Sequence, residues 1–172
     1  MANGPTVPVM MIFVVGPSRA GKTTLIERVL SEFAEVRLLD LDAEEIRSVN
    51  LIRARGGDPG GWEERWHRNL ESIGREQAVG GDLIVDVGAG SLQTEEGRSF
   101  FIARRDAMIA VTAPWQLVHR RHPGRDAVEF RQTEYSANRE QVYRSAAIKV
   151  LTASAIDQSA KKFRRALRKL LT

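Results

Sequence analysis

Residues Gly16-Pro17-Ser18-Arg19-Ala20-Gly21-Lys22-Thr23 reproduce the spacing G-x-x-x-x-G-K-[ST] without a break. The chemistry served by that spacing is the cradling of a polyphosphate. Glycines let the backbone fold around the anion, the lysine ammonium reaches the outer phosphates, and the last hydroxyl holds Mg²⁺. The apolar run Val9–Val15 precedes the loop and a helical pattern, Thr24–Phe33, follows it. A strand before and a helix after would aim the free N–H groups of a helix N-terminus at the anion. Chance alone gives such a match roughly once in two hundred chains of this length, and the flanking elements make it rarer. Gly16 to Thr24 are therefore expected to bind nucleotide phosphates, with Lys22 on the β- and γ-phosphates and Thr23 on Mg²⁺.

Two acidic segments stand where strand ends should gather. Asp40-Leu41-Asp42 follows the apolar run Val36–Leu39, and alternate residues leaving a strand point the same way. One carboxylate would support Mg²⁺ and the other would take a proton from a substrate hydroxyl; the competing role for either is to cap the helix that starts near Ala43. Leu83-Ile84-Val85-Asp86 ends an apolar run in an acid, which places Asp86 beside the phosphate loop as a further support for the metal. Gly88-Ala89-Gly90 comes next, small residues that allow a close backbone approach or simply a tight turn.

A third constellation is basic: Arg68, the group Arg120, Arg121 and Arg125 within His119-Arg-Arg-His-Pro-Gly-Arg, and Arg139. Phosphoryl transfer needs cations against the charge of the transferring group, and acidic substrates need guanidinium partners. His119 and His122 have no third ligand at metal spacing and read as loop residues. Trp62 and Trp66 read first as packing residues; four apart, near Arg68, they also form a candidate wall of an acceptor pocket.

These groups must be held by elements that alternate. Short apolar runs (Val9–Val15, Val36–Leu39, Leu83–Val87, Ala107–Val111, Val150–Thr152) are separated by helical patterns (Thr24–Phe33, Ala43–Ile52, Trp62–Val79, Gln116–Arg121, Gln132–Ala147, Ser159–Leu170). That order predicts an α/β fold with a mostly parallel sheet, helices on both faces and ligands beyond the carboxyl ends of the strands. The Gly-rich stretch 56–61 reads as a flexible loop between helices.

The chain has 172 residues, 42% of them hydrophobic and 28% charged, and no cysteine. Such a composition predicts a soluble protein with residues 1–8 as a flexible tail and 9–172 as one domain. Disulfides and thiolate sites are excluded. No apolar run approaches membrane-spanning length, so a cytoplasmic, membrane-free location is expected. Much of the net charge of +4 sits in the last helical pattern, at Lys161, Lys162, Arg164, Arg165, Arg168 and Lys169. Without interleaved aromatics this reads as the solvated face of an amphipathic helix rather than a nucleic-acid patch.

Taken in order, the motifs resemble those of shikimate kinase, within the nucleoside-monophosphate-kinase-like P-loop kinases, over about residues 9 to 170. The residues that carry the likeness are the phosphate loop, Asp40-Leu-Asp42, Arg68-Asn-Leu-Glu71, Gly88-Ala-Gly90 and Arg139-Glu-Gln-Val-Tyr143. The resemblance implies a five-stranded parallel sheet in order 2-3-1-4-5 and ATP-dependent phosphorylation of a ring hydroxyl. It also implies Asp40 supporting Mg²⁺, and Asp42 binding the acceptor hydroxyls as base. Arg68 and Arg139 would clamp an acceptor carboxylate, Gly88 to Gly90 would form the substrate turn, and a lid over about 119–131 would supply an arginine from among Arg120, Arg121 and Arg125. The sequence departs from the family at Ala89, in place of a glycine, at His67, in place of a Phe, and in a lid without Arg-Pro-Leu-Leu. Asp86 adds an acid. These departures point to a relative with another hydroxylated or acidic acceptor.

The expected protein is thus an ATP- and Mg²⁺-dependent kinase of a small, acidic, hydroxylated metabolite: shikimate, a shikimate-like compound or a natural product. Lys22, Asp42 and Arg125 or Arg120 would be catalytic, and the protein a monomer or weak dimer. The alternatives are a nucleotide-binding switch module and a nucleic-acid-associated kinase. Neither finds a motif of its own here.

Overall fold

The computed structural model describes residues 10–153 and 155–172. The tail expected at residues 1–8, and Val9 of the first strand, lie outside the described residues. Five strands, β1 (Met11–Val15), β2 (Arg37–Asp40), β3 (Leu83–Asp86), β4 (Met108–Thr112) and β5 (Ile148–Leu151), form one sheet in order β2-β3-β1-β4-β5. Every pairing is parallel. This is the expected order 2-3-1-4-5.

The central strands are apolar at consecutive positions because both faces of the sheet are covered. Phe13, Val15, Val85 and Ala110 face a core with Trp66, Ile73, Phe101 and Tyr143. Ile12, Val14, Ile84 and Ile109 face the opposite core, with Leu25, Ile26, Phe163 and Leu167. The first core is closed by α3 (Trp62–Val79), α4 (Glu95–Ile102) and α7 (Ala137–Ser145), and the second by α1 (Lys22–Leu30) and α8 (Ile156–Leu170). Helix α2 (Leu41–Ala54) packs on α3, while α5 (Trp115–His119) and α6 (Ala127–Glu134) form a small separate cluster around Val118 and Phe130.

Two departures from the expected elements matter. Residues 132–147 do not form one helix: α6 ends at Glu134, Tyr135 anchors its hydroxyl on the Ala113 carbonyl (2.8 Å), and the extended Ser136 starts α7. The apolar periodicity runs through the break because both helices bury a face, Phe130 in α6 and Val142 in α7. Helix α4 has no counterpart in the sequence reading. Thr94 caps it by accepting the Gly97 N–H at 3.0 Å, and the Gly97 Cα packs against the Ser91 carbonyl, which leaves no room for a side chain.

The basic residues of α8 lie on its outer face, where Arg164 and Arg168 both pair with Glu32 at the end of α1. Such pairing fits the solvated-face reading. Among the described residues no helix is long and apolar enough to cross a membrane.

Candidate functional site

The carboxyl ends of β1, β2, β3 and β4 bring the phosphate loop, Asp40, Asp86 and Ala113 to one edge of the sheet. Gly16 leaves β1 with its Cα against the Val111 carbonyl; a Cβ there would lie 2.0 Å from that oxygen. The loop then turns through Arg19 at a φ of 58° and enters α1 at Lys22. The Lys22 ammonium is buried and donates to the carbonyls of Gly16 and Pro17, each at 3.2 Å, so the side chain arches back over the loop. Arg19, Gly21, Lys22, Thr23, Arg121 and Thr152 line a cavity of about 690 Å³ on one side of the loop. Its far wall is tied down by Thr152, whose hydroxyl donates to the Ala20 carbonyl at 2.7 Å.

The Thr23 hydroxyl donates to Asp86 Oδ2 at 2.6 Å. Asp86 is buried, and its other oxygen, Oδ1, has no hydrogen-bond partner among the described residues. Burial pushes the Asp86 carboxyl above its ordinary value, against the opposing pull of Lys22 and of the Thr23 hydrogen bond. A buried carboxylate oxygen without a partner, next to a hydroxyl and beside a phosphate loop, fits a hard divalent cation. No group of three or more His, Cys, Asp or Glu among the described residues is placed to hold a metal alone. A cation here would complete its shell with nucleotide phosphates and water, as Mg²⁺ does.

Asp40 caps α2, its Oδ1 accepting the Ala43 N–H at 3.0 Å, and its Cα stands in register with that of Asp86. Asp42, in the first turn of α2, is the acid aimed across the sheet edge. Its carboxylate lies against the Cα of Gly88, where a Cβ would fall 1.6 Å from Oδ1. Burial raises the Asp42 carboxyl above its ordinary value, Lys22 pulls it down, and Asp40, Glu45 and Glu134 raise it further.

Asp42 opens onto a second cleft, of about 360 Å³, reached by Ser18 of the phosphate loop and walled by Trp62, Ala89, Gly90 and Arg139. The short turn Ala89–Leu92 that carries two of these residues is pinned to α3 by Asn69, whose Nδ2 donates to Ser91 Oγ at 2.9 Å. Trp62 belongs to the wall; Trp66 is buried between Phe100 and Phe101.

The structure redistributes the basic residues. Arg65, not Arg68, lines the cleft: it lies over the Trp62 ring at 4.7 Å and pairs with Glu45 at 3.1 Å. Arg68 sits in the seam between α2 and α3, beside Glu44, Glu45 and Ser48. Arg139 reaches the cleft, but its guanidinium is paired at 3.0 Å with Glu134. Glu134 also accepts the Ser18 N–H of the phosphate loop at 3.2 Å and meets Arg125 at 3.4 Å.

Of the three arginines expected to serve a lid, Arg121 enters the cavity beside the phosphate loop and donates to the Arg19 carbonyl at 2.9 Å. Arg125 is held by Glu134 and Thr133, and Arg120 is exposed. His119 and His122 take carbonyl partners, Arg125 and Ser18 respectively, and pack at a tilt against Phe130. Glu45, Arg65 and Glu134 escaped the sequence reading. Glu45 lies three residues after Asp42 on α2, a helical neighbour that could have been flagged. Glu134 carries no such signal, because a helix break separates it from Arg139.

The phosphate loop and the strand order together define a P-loop α/β fold of the kind found in small-molecule kinases. No family model matches the chain, and no curated protein is significantly similar to it. Solved structures do share the fold. A shikimate kinase from Aquifex aeolicus aligns with a TM-score of 0.63 at 21% identity, covering 93% of this chain and 97% of its own. A shikimate kinase from Acinetobacter baumannii, in complex with shikimate, aligns at 0.61 and 20% identity over 95% and 96%. A gluconokinase from Sinorhizobium meliloti aligns at 0.54 and 16% identity over 95% and 93%. At these identities the likeness is one of fold.

Proposed function

We propose that this protein is a kinase that transfers the γ-phosphoryl group of ATP to a hydroxyl of a small molecule held in the Asp42 cleft. The observation that carries the reading is that one loop borders both cavities: Arg19 to Thr23 line the larger, and Ser18 reaches the cleft that Asp42 faces. A donor nucleotide and an acceptor would thus meet at the loop.

Gly16 to Thr24 would hold the phosphates through backbone N–H groups, and Lys22 would swing from the Gly16 and Pro17 carbonyls to the β- and γ-phosphates. Mg²⁺, bound with ATP, would offset phosphate charge; Thr23 and Asp86 would hold it, with Asp40 close by. Asp42 would orient the acceptor hydroxyl and take its proton, and its raised pKa suits a base. The acceptor oxygen then forms a bond to the γ-phosphorus, the bond from that phosphorus to the β–γ bridging oxygen breaks, and ADP leaves with the electron pair. Arg121, already at the nucleotide side, and Arg125, at the lid, are the cations available to the transferring group. Trp62, Ala89 and Gly90 would shape the acceptor pocket.

The test is ADP release from the purified protein with Mg-ATP, first with shikimate and then with hydroxylated acids, sugars, nucleosides and aminoglycosides. Acceleration by one member establishes the kinase and narrows its acceptor. Silence across the panel, with ATP still bound, overturns the reading in favour of a nucleotide-binding switch.

A further inference from the structure

Glu134 ends α6 with its side chain only 8% exposed, and its carboxylate collects donors from separate segments of the chain. Oε2 accepts the Ser18 N–H of the phosphate loop at 3.2 Å and Arg139 Nη1 of α7 at 3.0 Å. Oε1 meets Arg125 Nη1 at 3.4 Å. A loop N–H and a guanidinium beside the phosphate loop are the donor types that a phosphoryl group takes. Here a carboxylate of the chain itself holds both.

The position of Glu134 decides which phosphate would meet it. Arg19 to Thr24 line the larger cavity, whereas Ser18 borders the acceptor cleft, and Glu134 lines that cleft too. Donor and acceptor would therefore approach each other where the loop passes from Arg19 to Ser18. The first two phosphates of a nucleotide would lie on the Arg19 to Thr24 side, and only the third would arrive beside Ser18. Asp42 lies in the same neighbourhood: beyond the effect of burial, Lys22 pulls its carboxyl down and Glu134 pushes it up.

The contacts of Glu134 are unequal. Arg139 is as buried as Glu134, with its side chain 6% exposed, and makes the shortest of them. Arg125 is 35% exposed and makes the longest. A third phosphate can thus take the Ser18 N–H and Arg125 and leave the Glu134–Arg139 pair intact. It would do so against the repulsion of a poorly solvated carboxylate, which is stronger there than in water.

We propose that Glu134 is a resident stand-in for the transferring phosphoryl group, which the third phosphate of ATP must displace from Ser18 and Arg125. Glu134 thereby sets the discrimination between triphosphate and diphosphate. It cancels the affinity that the third phosphate would otherwise add, while ADP, which ends short of Ser18, is untouched. Arg125 is released to the transferring group only when a triphosphate is bound. The inference rests on the kinase reading for the place of the third phosphate, and on the contacts of Glu134 for the rest.

Calorimetry on the full chain with Mg²⁺ tests it, comparing ADP with AMP-PNP, the non-hydrolysable β,γ-imido analogue of ATP. The parent protein should bind the analogue no more than about threefold tighter than ADP. E134Q keeps the volume, removes the charge and frees Arg125 and Arg139 for the third phosphate. It should raise the affinity for the analogue relative to ADP about tenfold. E140Q, which removes an acid paired with Arg144 at 2.6 Å, should leave that ratio unchanged. A larger preference for the analogue in the parent overturns the proposal, and this measurement does not depend on the folding of E134Q. A rise of less than about threefold in E134Q, or an equal rise in E140Q, overturns it as well. Should the ratios behave as expected while no acceptor accelerates ADP release from Mg-ATP, the assignment of Glu134 holds and the kinase reading fails. Acceleration by an acceptor without the expected ratios leaves the kinase reading standing and removes this one. Failure of both nucleotides to bind overturns both.

Discussion

The carboxylate of Asp42 lies on the Cα of Gly88, so close that a β-carbon on Gly88 would fall 1.6 Å from Oδ1 and 2.2 Å from Cγ. The backbone of Gly88 is ordinary, with φ −64° and ψ 149°, and any residue could adopt it. Space, not conformation, requires glycine here. Gly88→Ala should displace Asp42 and overpack the site, destabilising the fold by about 1–3 kcal/mol. It should also lower kcat roughly a hundredfold while ATP affinity holds, as expected when a reacting group moves by about 1 Å. Adding Asp42→Ala removes the clash, so the double variant should be more stable than the single effects predict by about 0.5 kcal/mol or more. Strict additivity of the two stability changes would mean that the contact is relieved at no cost.

The Thr23–Asp86 pair yields a trade between stability and function. Burial holds the folded-state pKa of Asp86 above its unfolded value of 3.8. As pH falls, the folded state therefore takes up this proton before the unfolded state does. The group's contribution to stability is greatest at low pH and is lost as pH rises through the raised pKa. Asp86→Asn removes the buried charge and keeps an oxygen to accept from Thr23. At neutral pH its unfolding midpoint should equal or exceed that of the parent, with the difference vanishing near pH 3. Mg²⁺-dependent ATP affinity should fall about 10- to 100-fold, the scale seen when a metal's supporting residues are lost. A lower midpoint at neutral pH would show that the Asp86 charge supports the fold.

Much of this was legible in the sequence, and the exceptions have physical causes. β1, β3 and β4 announce themselves because burial on both faces forces consecutive apolar residues, and the phosphate loop is a contiguous motif whose function depends on backbone. The cleft residues are set instead by rotation about helix axes. Arg65 and Arg68 lie only about 60° apart around α3 on a helix of 3.6 residues per turn, yet one faces the cleft and the other the α2 seam. A motif match at Arg68 cannot register that difference. Glu134 was hidden because the break at Tyr135 and Ser136, fixed by a contact with distant Ala113, reorients the chain between it and Arg139. Helix α4 was missed because Gly97 lies inside it, a weak helix former kept for its close contact with Ser91.

The raised pKa of Asp42 has a kinetic counterpart. If the ionised carboxylate is the base, kcat should fall on the acid side with an apparent pKa above 3.8, since burial disfavours the ionised form and Glu45 and Glu134 add to this. Glu45→Gln removes one of those negative charges and should move the acid limb to lower pH. Asp42→Asn should flatten that limb and lower kcat about 10²- to 10⁴-fold, the usual range for a general base. An acid limb that persists unchanged in Asp42→Asn would assign the proton transfer elsewhere.

Arg65 and Arg68 can be separated by kinetics. Arg65→Ala strips the cleft of a guanidinium and frees Glu45 and Trp62, so KM for the acceptor should change severalfold with little change in KM for ATP. Arg68→Ala, in the α2–α3 seam, should leave the acceptor KM unaltered and act on stability. An acceptor KM that responds to Arg68→Ala and ignores Arg65→Ala would reverse this placement and restore the expectation drawn from the sequence.

The Glu134–Arg139 pair should dominate the stability of the acceptor side. Both side chains are more than nine-tenths buried, so removing one leaves the other charge largely desolvated and without its main partner. Arg139→Ala should destabilise the protein by about 3 kcal/mol, which in a chain of this size lowers the unfolding midpoint by roughly 6–12 °C. Arg139→Met combined with Glu134→Gln removes both charges while keeping volume, and should recover at least half of that loss. The recovery separates a stranded charge from lost packing: packing alone would leave the double variant no better than the worse single one. An unfolding free energy for Arg139→Ala within about 1 kcal/mol of the parent, the scale of an exposed pair, would show that this ion pair is solvated and inexpensive to open.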